Sequence, residues 1–590
     1  MLLDIVSGEK IQELCDIYIG DIDNFNYNPL ISKQYHKCIS IDSIPDNWNN
    51  PNLIFCYGDK TIEFSKILYK LTNKCIIIFG NSDFNHTYQS DIEYLNSDTI
   101  SHIFCQNLNY KHSKASIIPI GLANKQWLHG NPEYIFKTHA IGIKKIDHIF
   151  CSFSTSTNPS ARNQCLESMY KNNINNRVFS DQSEYINQLS SHKFSICPEG
   201  NGLDTHRFWE CLYVQTVPIV PRSLFTEMLK EMGLPCVIVD NWDKFNINDI
   251  PDYSTFNFDD IHYYNISLYK FRNDILEQLS KLNDEINVVL SFIGTMPSYI
   301  IECIKQLRIF YKGYIYLIYS EISPDIAKDL ENYNVLFVHY SLVQSQRFEN
   351  ISKNKDFVVV DKLEDRKELF KRSYERLYLL DSLLSKYNIK NVWFMELDIL
   401  MYINPSIFMN TFKNKPYVYA YHKNDECSSG ILYVKDHTSL QPILQSLDEY
   451  NISYCPNEMG ALYSHLKKNT DIPLFPLINN IDNVIGNINN FYNKNYKEFY
   501  NFIFDGAVIG QYYFGVNKIH SDNILKQKDN SFLMTHLNIW AYGNVEWYKN
   551  SQSMYIPFYR PNNSYEFIPV SNLHIHSKDL ISAVSYRSSI

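Results

Sequence analysis

No stretch of this 590-residue chain reaches about 18 consecutive apolar residues, and the opening MLLDIVSGEKIQEL has no basic region ahead of an unbroken apolar core. Neither a membrane-spanning helix nor a secretory leader is therefore expected, and the chain is expected to be soluble and cytoplasmic. There is no Lys/Arg block and no basic excess: 54 Lys+Arg against 64 Asp+Glu leave a net charge of -10, with a pI near 6.0. That balance argues against a nucleic-acid partner held through its phosphates. The 13 cysteines include no CxxC pair and are odd in number. They read as free buried thiols in a reducing compartment, not as disulfides or zinc ligands. No tandem period of about 20 to 50 residues recurs, which excludes a solenoid. What is present is a globular composition, 45% hydrophobic and 20% charged, in a length sufficient for about two to four domains.

Short apolar runs separated by polar or helical stretches fill the first half: Leu53 to Asp59, Cys75 to Asp83, His102 to Asn107, Ala115 to Trp127, Asp147 to Thr155, then RVFSD, FSICPEG and TVPIVP. Strands alternating with helices predict an α/β fold with a parallel, doubly wound sheet. The chemistry-bearing stretch is KFSICPEGNGLDTHRFWECLYVQTVPIV, Lys193 to Val220. An apolar strand ends at Pro198, Glu199-Gly200-Asn201-Gly202 turns, and Asp204 or Thr205 caps a helix through Arg207 and Glu210. Such a unit offers backbone N–H groups and a positive helix end to an anion. Arg207 adds a planar cationic fork for a phosphate, and Glu210, one turn on, an acceptor for ribose hydroxyls. An Arg207–Glu210 pair over an ordinary packing turn is the alternative.

This stretch resembles the donor-binding half of GT-B glycosyltransferases of the exostosin-like and fucosyltransferase-like kinds. The shared features are a Phe-rich strand, an acidic-Gly loop, a basic residue opening a helix, an acid one turn later, and a closing x-Pro-(Val/Ile) strand. The resemblance implies Arg207 at the diphosphate, Glu210 at the ribose, and Glu199 and Asn201 beside the sugar. Arg162 of FSTSTNPSARNQC would be a second phosphate contact. It also implies a GT-B-like domain over 1–250 built of two Rossmann-like halves, about 1–135 and 136–250. Where the family carries glycine in the last strand this chain has Gln215-Thr216, so a diverged first half stays open.

Residues 251–284 change character. DIPDYSTFNFDDIHYYN is aromatic and acidic, and ISLYKFRNDILEQLSKLNDE carries Ile266, Tyr269, Ile275, Leu279 and Leu282 near helical spacing. A helical connector is expected there, with a second domain over 285–590. That domain opens with INVVLSFIG, YIYLIYSE, NVLFVHYS and FVVVD (Phe357 to Asp361) as strands. A helix follows through Phe370, Tyr374, Leu377, Leu380 and Leu384. Arg372 and Arg376 on it could reach the nucleotide, but they read first as solvated or i,i+4-paired.

The helix leads into NVWFMELDILMYINP, Asn391 to Pro405. Read as a buried strand that breaks at its carboxyl end, it lifts Glu396 and Asp398 onto one face of a crevice, where two like charges need a cation between them. Mg²⁺ or Mn²⁺ with oxygen ligands would hold a nucleotide diphosphate there. With the preceding helix and the following Asn-Pro, the stretch resembles the acid-x-Asp metal motif of GT-A glycosyltransferases. That resemblance implies a nucleotide-diphospho-sugar transferase fold for 285–590, with Ser429 and Gly430 lining the donor sugar ahead of a strand. It places Glu458 beside the anomeric carbon and Asp505 near the acceptor; each acid reads equally as general base or helix N-cap. In VSNLHIHSKDL, His574, His576 and Lys578 alternate along an apparent strand and so share a face. Imidazole can complete a Mn²⁺ site, and a lysine can neutralise a leaving diphosphate. By the resemblance His576 is the favoured ligand and His574 the second.

Taken together the chain resembles a two-domain glycosyltransferase of the kind found in giant viruses, GT-B-like at the N-terminus and GT-A at the C-terminus; for a viral chain the compartment becomes the host cytoplasm. The expected function is bifunctional transfer of sugars from nucleotide-sugar donors to a glycan or glycoprotein acceptor. Two alternatives stay open: one active GT-A domain beside a diverged acceptor-binding module, or a non-catalytic protein that holds glycan or nucleotide sugar. A nucleotidyltransferase would need further carboxylates on neighbouring strands, and none is identifiable. Nothing in the sequence speaks to oligomeric state.

Overall fold

Apolar runs pair side by side in the computed structural model, which describes residues 5–20, 38–125, 127–282, 286–354, 367–423, 426–451, 458–477, 495–506, 509–514, 543–561 and 564–587. The chain divides into two units, Met1–Leu282 with Lys549–Gln552, and Asn283–Tyr548 with Ser553–Ile590. In the first, β1 (Ile17–Ile19), β2 (Cys38–Ile39), β3 (Leu53–Tyr57), β4 (Cys75–Gly80), β5 (Ile100–Cys105) and β6 (Ala115–Ile117) form a sheet in the order β2-β1-β3-β4-β5-β6. Every pairing in it is parallel. Ile54, Phe55, Cys56 and Ile76 to Phe79 are wholly buried, as strands covered on both faces must be.

A second parallel sheet in the same unit runs β10-β9-β8-β7, from β7 (Ile146–Phe150), β8 (His192–Ile196), β9 (Val217–Pro221) and β10 (Val237–Val239). Its core gathers Phe194, Ile196, Val217 and Ile219 with Cys165, Met169 and Trp242. The helix Pro159–Lys171 starts with Pro159 at N1 and Asn158 capping Ala161 N. The helix Leu268–Ser280 buries Ile275, Leu276 and Leu279 and lies on β4 and β5. RVFSD is not a strand: Val178 is exposed, and the Arg177 guanidinium lies 4.5 Å over the Phe179 ring and pairs with Glu184. Local contacts have replaced the ladder there. β1 and β10, three residues each, are too short to show a period in sequence.

In the second unit β11 (Asn287–Thr295), β12 (Ile315–Glu321), β13 (Val335–His339) and β14 (Val392–Met395) are parallel. Beyond β15 (Ile399–Met401), the strands β16 (Tyr417–Lys423), β17 (Glu426–Val434) and β18 (Leu474–Phe475) complete a mixed sheet ordered β13-β12-β11-β14-β17-β16-β18. Ser428 to Gly430 lie inside β17, not ahead of it; FVVVD falls outside the described residues. β19 (Gly543–Lys549), β20 (Tyr555–Pro561) and β21 (Ile568–Pro569) form a small sheet, and β22 (Asn572–His574) pairs antiparallel with β15. No cysteine among the described residues is in a disulfide. No helix among them is long and apolar enough to cross a membrane.

Candidate functional site

In the C-terminal unit β14 stops at Met395 and β15 begins at Ile399, so Glu396 and Asp398 occupy the turn between two buried strands. Alternation along one strand, the expected reason for their shared face, is therefore not what unites them. Backbone pairing does that instead. Glu396 N donates to Gly430 O at 2.9 Å, and Ile575 N donates to Asp398 O at 2.8 Å. With Ile399 opposite His574 in the β15–β22 ladder, the imidazole is set over the turn.

His574 Nε2 lies 3.1 Å from Glu396 Oε2 and 3.3 Å from Asp398 Oδ1. Neither approach has hydrogen-bond alignment, and both ring nitrogens of this buried histidine lack a hydrogen-bond partner. Each of the three side chains offers a ligand atom within 4.8 Å of the others. Two carboxylates and an imidazole converging on one point, with an orphaned ring nitrogen, fit a divalent ion such as Mn²⁺ or Mg²⁺.

The seat of His574 is built from its surroundings. Its N–H donates to Asp505 Oδ2 at 2.9 Å, and the same carboxylate accepts from Ile509 N at 2.8 Å and Gly510 N at 2.7 Å. Asp505 is fully buried, and both its oxygens accept from backbone N–H groups, two of them at the start of the helix Ile509–Phe514. A Cβ on Gly510 would fall 1.9 Å from His574 O, and one on Gly430 3.3 Å from His574 Cε1. Gly510 needs glycine for this close approach, whereas at Gly430 the neighbouring side chains would have to give by a few tenths of an ångström.

His576, the favoured ligand from sequence, does not face the acids as His574 does. β22 ends at His574 and the chain turns, with Lys578 at φ +63°, so the alternation that put three residues on one face does not continue. The His576 ring stacks on His574 with centroids 4.2 Å apart. Burial, then the neighbouring imidazole, hold its pKa well below the ordinary range. Lys578 still reaches the site, through an ion pair with Asp398 Oδ2.

Arg376, read first from sequence as solvated or locally paired, belongs to this cluster. Its side chain is 16% exposed, and its guanidinium pairs with Glu396 and with Glu458 while donating to Ser429 Oγ at 3.1 Å. Ser429 Oγ in turn donates to Glu458 at 3.2 Å. A signal existed: in the helix Lys367–Tyr387, Arg376 stands on the face of Leu380 and Leu383, both buried. Arg372, by contrast, pairs with Glu375 three residues on.

Charge organises the cluster. Burial pushes the Glu396 carboxyl up, but Arg376 and His574 outweigh it and hold the group well below the usual range. Asp398 is likewise burdened by burial and drawn well down by His574 and Lys578. Burial opposes a charge on His574, yet Asp398 and Glu396 carry its pKa up to about 10.

In the N-terminal unit Arg162 is 7% exposed. Its Nε donates to Glu199 O and a terminal nitrogen to Ser154 O, each at 2.8 Å. Asn158 Nδ2 donates to Gly200 O at 2.8 Å, tying the glycine loop to the same helix start. Burial, then the charge of Arg207, pull Arg162 down to about 10. Arg207 Nε is buried without a hydrogen-bond partner, and no ion pair joins it to Glu210 among the described residues. Glu210 instead accepts from Tyr185 Oη at 2.8 Å, and burial raises its pKa against the pull of Arg207. The Tyr185 bond engages one oxygen of the carboxylate expected at the ribose.

Neither expected cap uses its side chain to cap the helix His206–Tyr213; Asp204 accepts from Ile120 N and Trp209 Nε1, each at 2.7 Å. Glu199 is half-buried and Asn201 exposed on this loop. Gln215, at the expected glycine position, adopts φ +58°, a left-handed conformation that costs a non-glycine residue about 1 kcal/mol. Elsewhere in the unit His86, Asp91 and Cys105 also cluster, but His86 Nδ1, Ser90 Oγ and Tyr110 Oη already bond to the Asp91 carboxylate.

No protein-family model matches the chain, and no curated protein does. Among solved structures it is similar to a galactosyltransferase, LgtC, in complex with donor and acceptor sugar analogs, at 10% identity and a TM-score of 0.24 over 32% of this chain and 73% of that one. It is also similar to the PaToxG glycosyltransferase, at 11% identity and a TM-score of 0.21 over 31% of this chain and 69% of that one.

Proposed function

We propose that the C-terminal unit is a metal-dependent glycosyltransferase of GT-A type, moving a sugar from a nucleoside-diphosphate donor to a glycan or glycoprotein acceptor. The observation that carries the reading is the convergence of Glu396, Asp398 and His574 on a single ion-sized point. The ion bound there supplies positive charge to a departing diphosphate. The chain's own residues do the rest. Arg376 fixes Glu396 and Glu458 at the same time, and Ser429 and Gly430 present β17 backbone and a hydroxyl beside them. Glu458, held by Arg376 and Ser429, lies next to the sugar, and Lys578 adds a positive charge for the phosphates. The test is a screen of nucleotide sugars for nucleoside-diphosphate release with and without Mn²⁺. Release that needs Mn²⁺ and disappears in Asp398→Asn supports the assignment; release indifferent to both sinks it.

One observation favours a second, GT-B-like donor site in the N-terminal unit, and with it a bifunctional chain. Arg162 and Arg207 are two neighbouring guanidinium groups beside a glycine loop and a helix start; burial and the charge of Arg207 work against the charge on Arg162, while Tyr185 and Glu210 offset burial at Arg207, and no salt bridge holds either one among the described residues. A diphosphate would pair with both. Glu199 and Asn201 border the loop and are proposed at the sugar. Arg207→Met and Glu396→Gln made separately discriminate: loss of two different transfer activities means two enzymes, one shared loss a single site. If neither unit turns over any donor, a binding protein is left.

A further inference from the structure

Counting charge around the Glu396–Asp398 turn leads beyond the metal site itself. Glu396, Asp398 and Glu458 bring three carboxylates, and two permanent cations pair with them, Arg376 with Glu396 and Glu458, and Lys578 with Asp398. Counted with the neutral His574 ring that a metal ligand requires, one negative charge is left over. A divalent ion bound beside a neutral imidazole would turn that into an excess positive charge inside a largely dry cluster, where unbalanced charge is costly. One resident cation must leave.

The two differ in how they are held. Arg376 is 16% exposed and is bound to Glu396, Glu458 and Ser429 from three separate elements. Lys578 is 29% exposed; among the described residues its ion pair is with a single carboxylate, Asp398, and its ammonium lies 6.0 Å from the centre of the Tyr299 ring. Its backbone is pinned, with Lys578 N donating to Ile575 O at 3.0 Å and Ile575 N to Asp398 O at 2.8 Å. Only the flexible side chain has to move.

We propose that Lys578 is the resident counter-ion of the metal site: its ammonium occupies Asp398 Oδ2 while no ion is bound, and a divalent cation enters by displacing it into solvent. This rests on the reading of Glu396, Asp398 and His574 as metal ligands. The opposite role, a lysine that steadies Asp398 for the metal, predicts the opposite sign when the charge is removed.

The experiment measures Mn²⁺ affinity of the full chain by the electron paramagnetic resonance signal of free Mn²⁺, without nucleotide, in wild type, Lys578→Met, Lys578→Arg and Asp398→Asn. Lys578→Met should bind about tenfold more tightly than wild type, and Lys578→Arg, which keeps the charge, within about twofold of it. In the wild-type chain, acylation of Lys578 by acetic anhydride, followed by mass spectrometry, should speed up when Mn²⁺ is added. Unchanged or weaker binding in Lys578→Met, or acylation indifferent to Mn²⁺, overturns the proposal. The labelling arm needs no variant, so a misfolded Lys578→Met chain does not rescue it. If Asp398→Asn binds Mn²⁺ as wild type does, the metal-site reading itself has failed, which is a separate result.

Discussion

Arg376→Met isolates the interaction on which the C-terminal site is built. The guanidinium is largely buried between Glu396 and Glu458, whose side chain is only 3% exposed. Removing it leaves the Glu458 carboxylate in place with the Ser429 hydroxyl as its remaining bonded partner at this cluster. Breaking a buried pair on one side in this way costs about 3–5 kcal/mol, because the surviving charge has lost its solvent and its partner together. Glu396 contributes less to the loss, since His574 and solvent remain near it.

Urea denaturation followed by tryptophan fluorescence should therefore show the transition that carries the C-terminal unit moved down by an amount in that range. Adding Glu458→Gln to Arg376→Met removes the stranded charge while keeping shape, and should return most of the loss, to within about 1–2 kcal/mol of wild type. If Arg376→Met costs under about 1 kcal/mol, or the second change restores nothing, the buried-pair argument is wrong and Arg376 is a surface arginine, as its sequence neighbours suggest.

Further tests bear on other parts of the molecule. His574→Ala should weaken Mn²⁺ binding by about 10- to 100-fold in a calorimetric titration, with His576→Ala losing less than about threefold. The reverse ranking would restore the sequence-based choice of ligand. Gly510→Ala should disturb the His574 backbone, lowering the melting temperature and Mn²⁺ affinity together, because its Cβ would sit 1.9 Å from the His574 carbonyl oxygen. Lys145 in the N-terminal unit donates to Val214 O and Thr216 Oγ1 at 2.8 and 3.0 Å, and burial draws its pKa down from 10.5 to about 7. Folded Lys145 releases its proton near pH 7 while the unfolded chain keeps it to about pH 10.5, so the unfolded state binds more protons across that window and stability rises with pH. The rise should amount to about 2–4 kcal/mol after allowance for partial exposure, and Lys145→Met should flatten it in denaturant titrations run from pH 7 to pH 10.

What sequence could disclose followed how local each feature is. Ile76 to Phe79 and Val392 to Met395 are continuous apolar runs, and they became buried parallel strands. Glu396 and Asp398 were legible because acids directly after such a run have to be explained. His574 and His576 were visible as candidates, but His576 was ranked first by resemblance alone, since period two applies only while a strand lasts, and β22 lasts three residues. Arg376 was misjudged because Arg372 and Glu375 beside it do form a local pair, and a helix surface looks solvated until the partner elements are known. The bond from Tyr185 to Glu210 was out of view for the same reason: the two lie 25 residues apart. Long-range partners decide such cases, and no window along the chain contains them.

The antiparallel pairing of β15 with β22 has a consequence for how this unit assembles. Ile399 and His574 are far apart in the chain, so the three donor groups cannot come together while the intervening loop is open. An ion captured there would act as a clasp on the closing segment, and its binding energy would appear as folding energy of the unit. Chelation should then loosen the β22 segment before it disturbs the sheet of β11, β12 and β14.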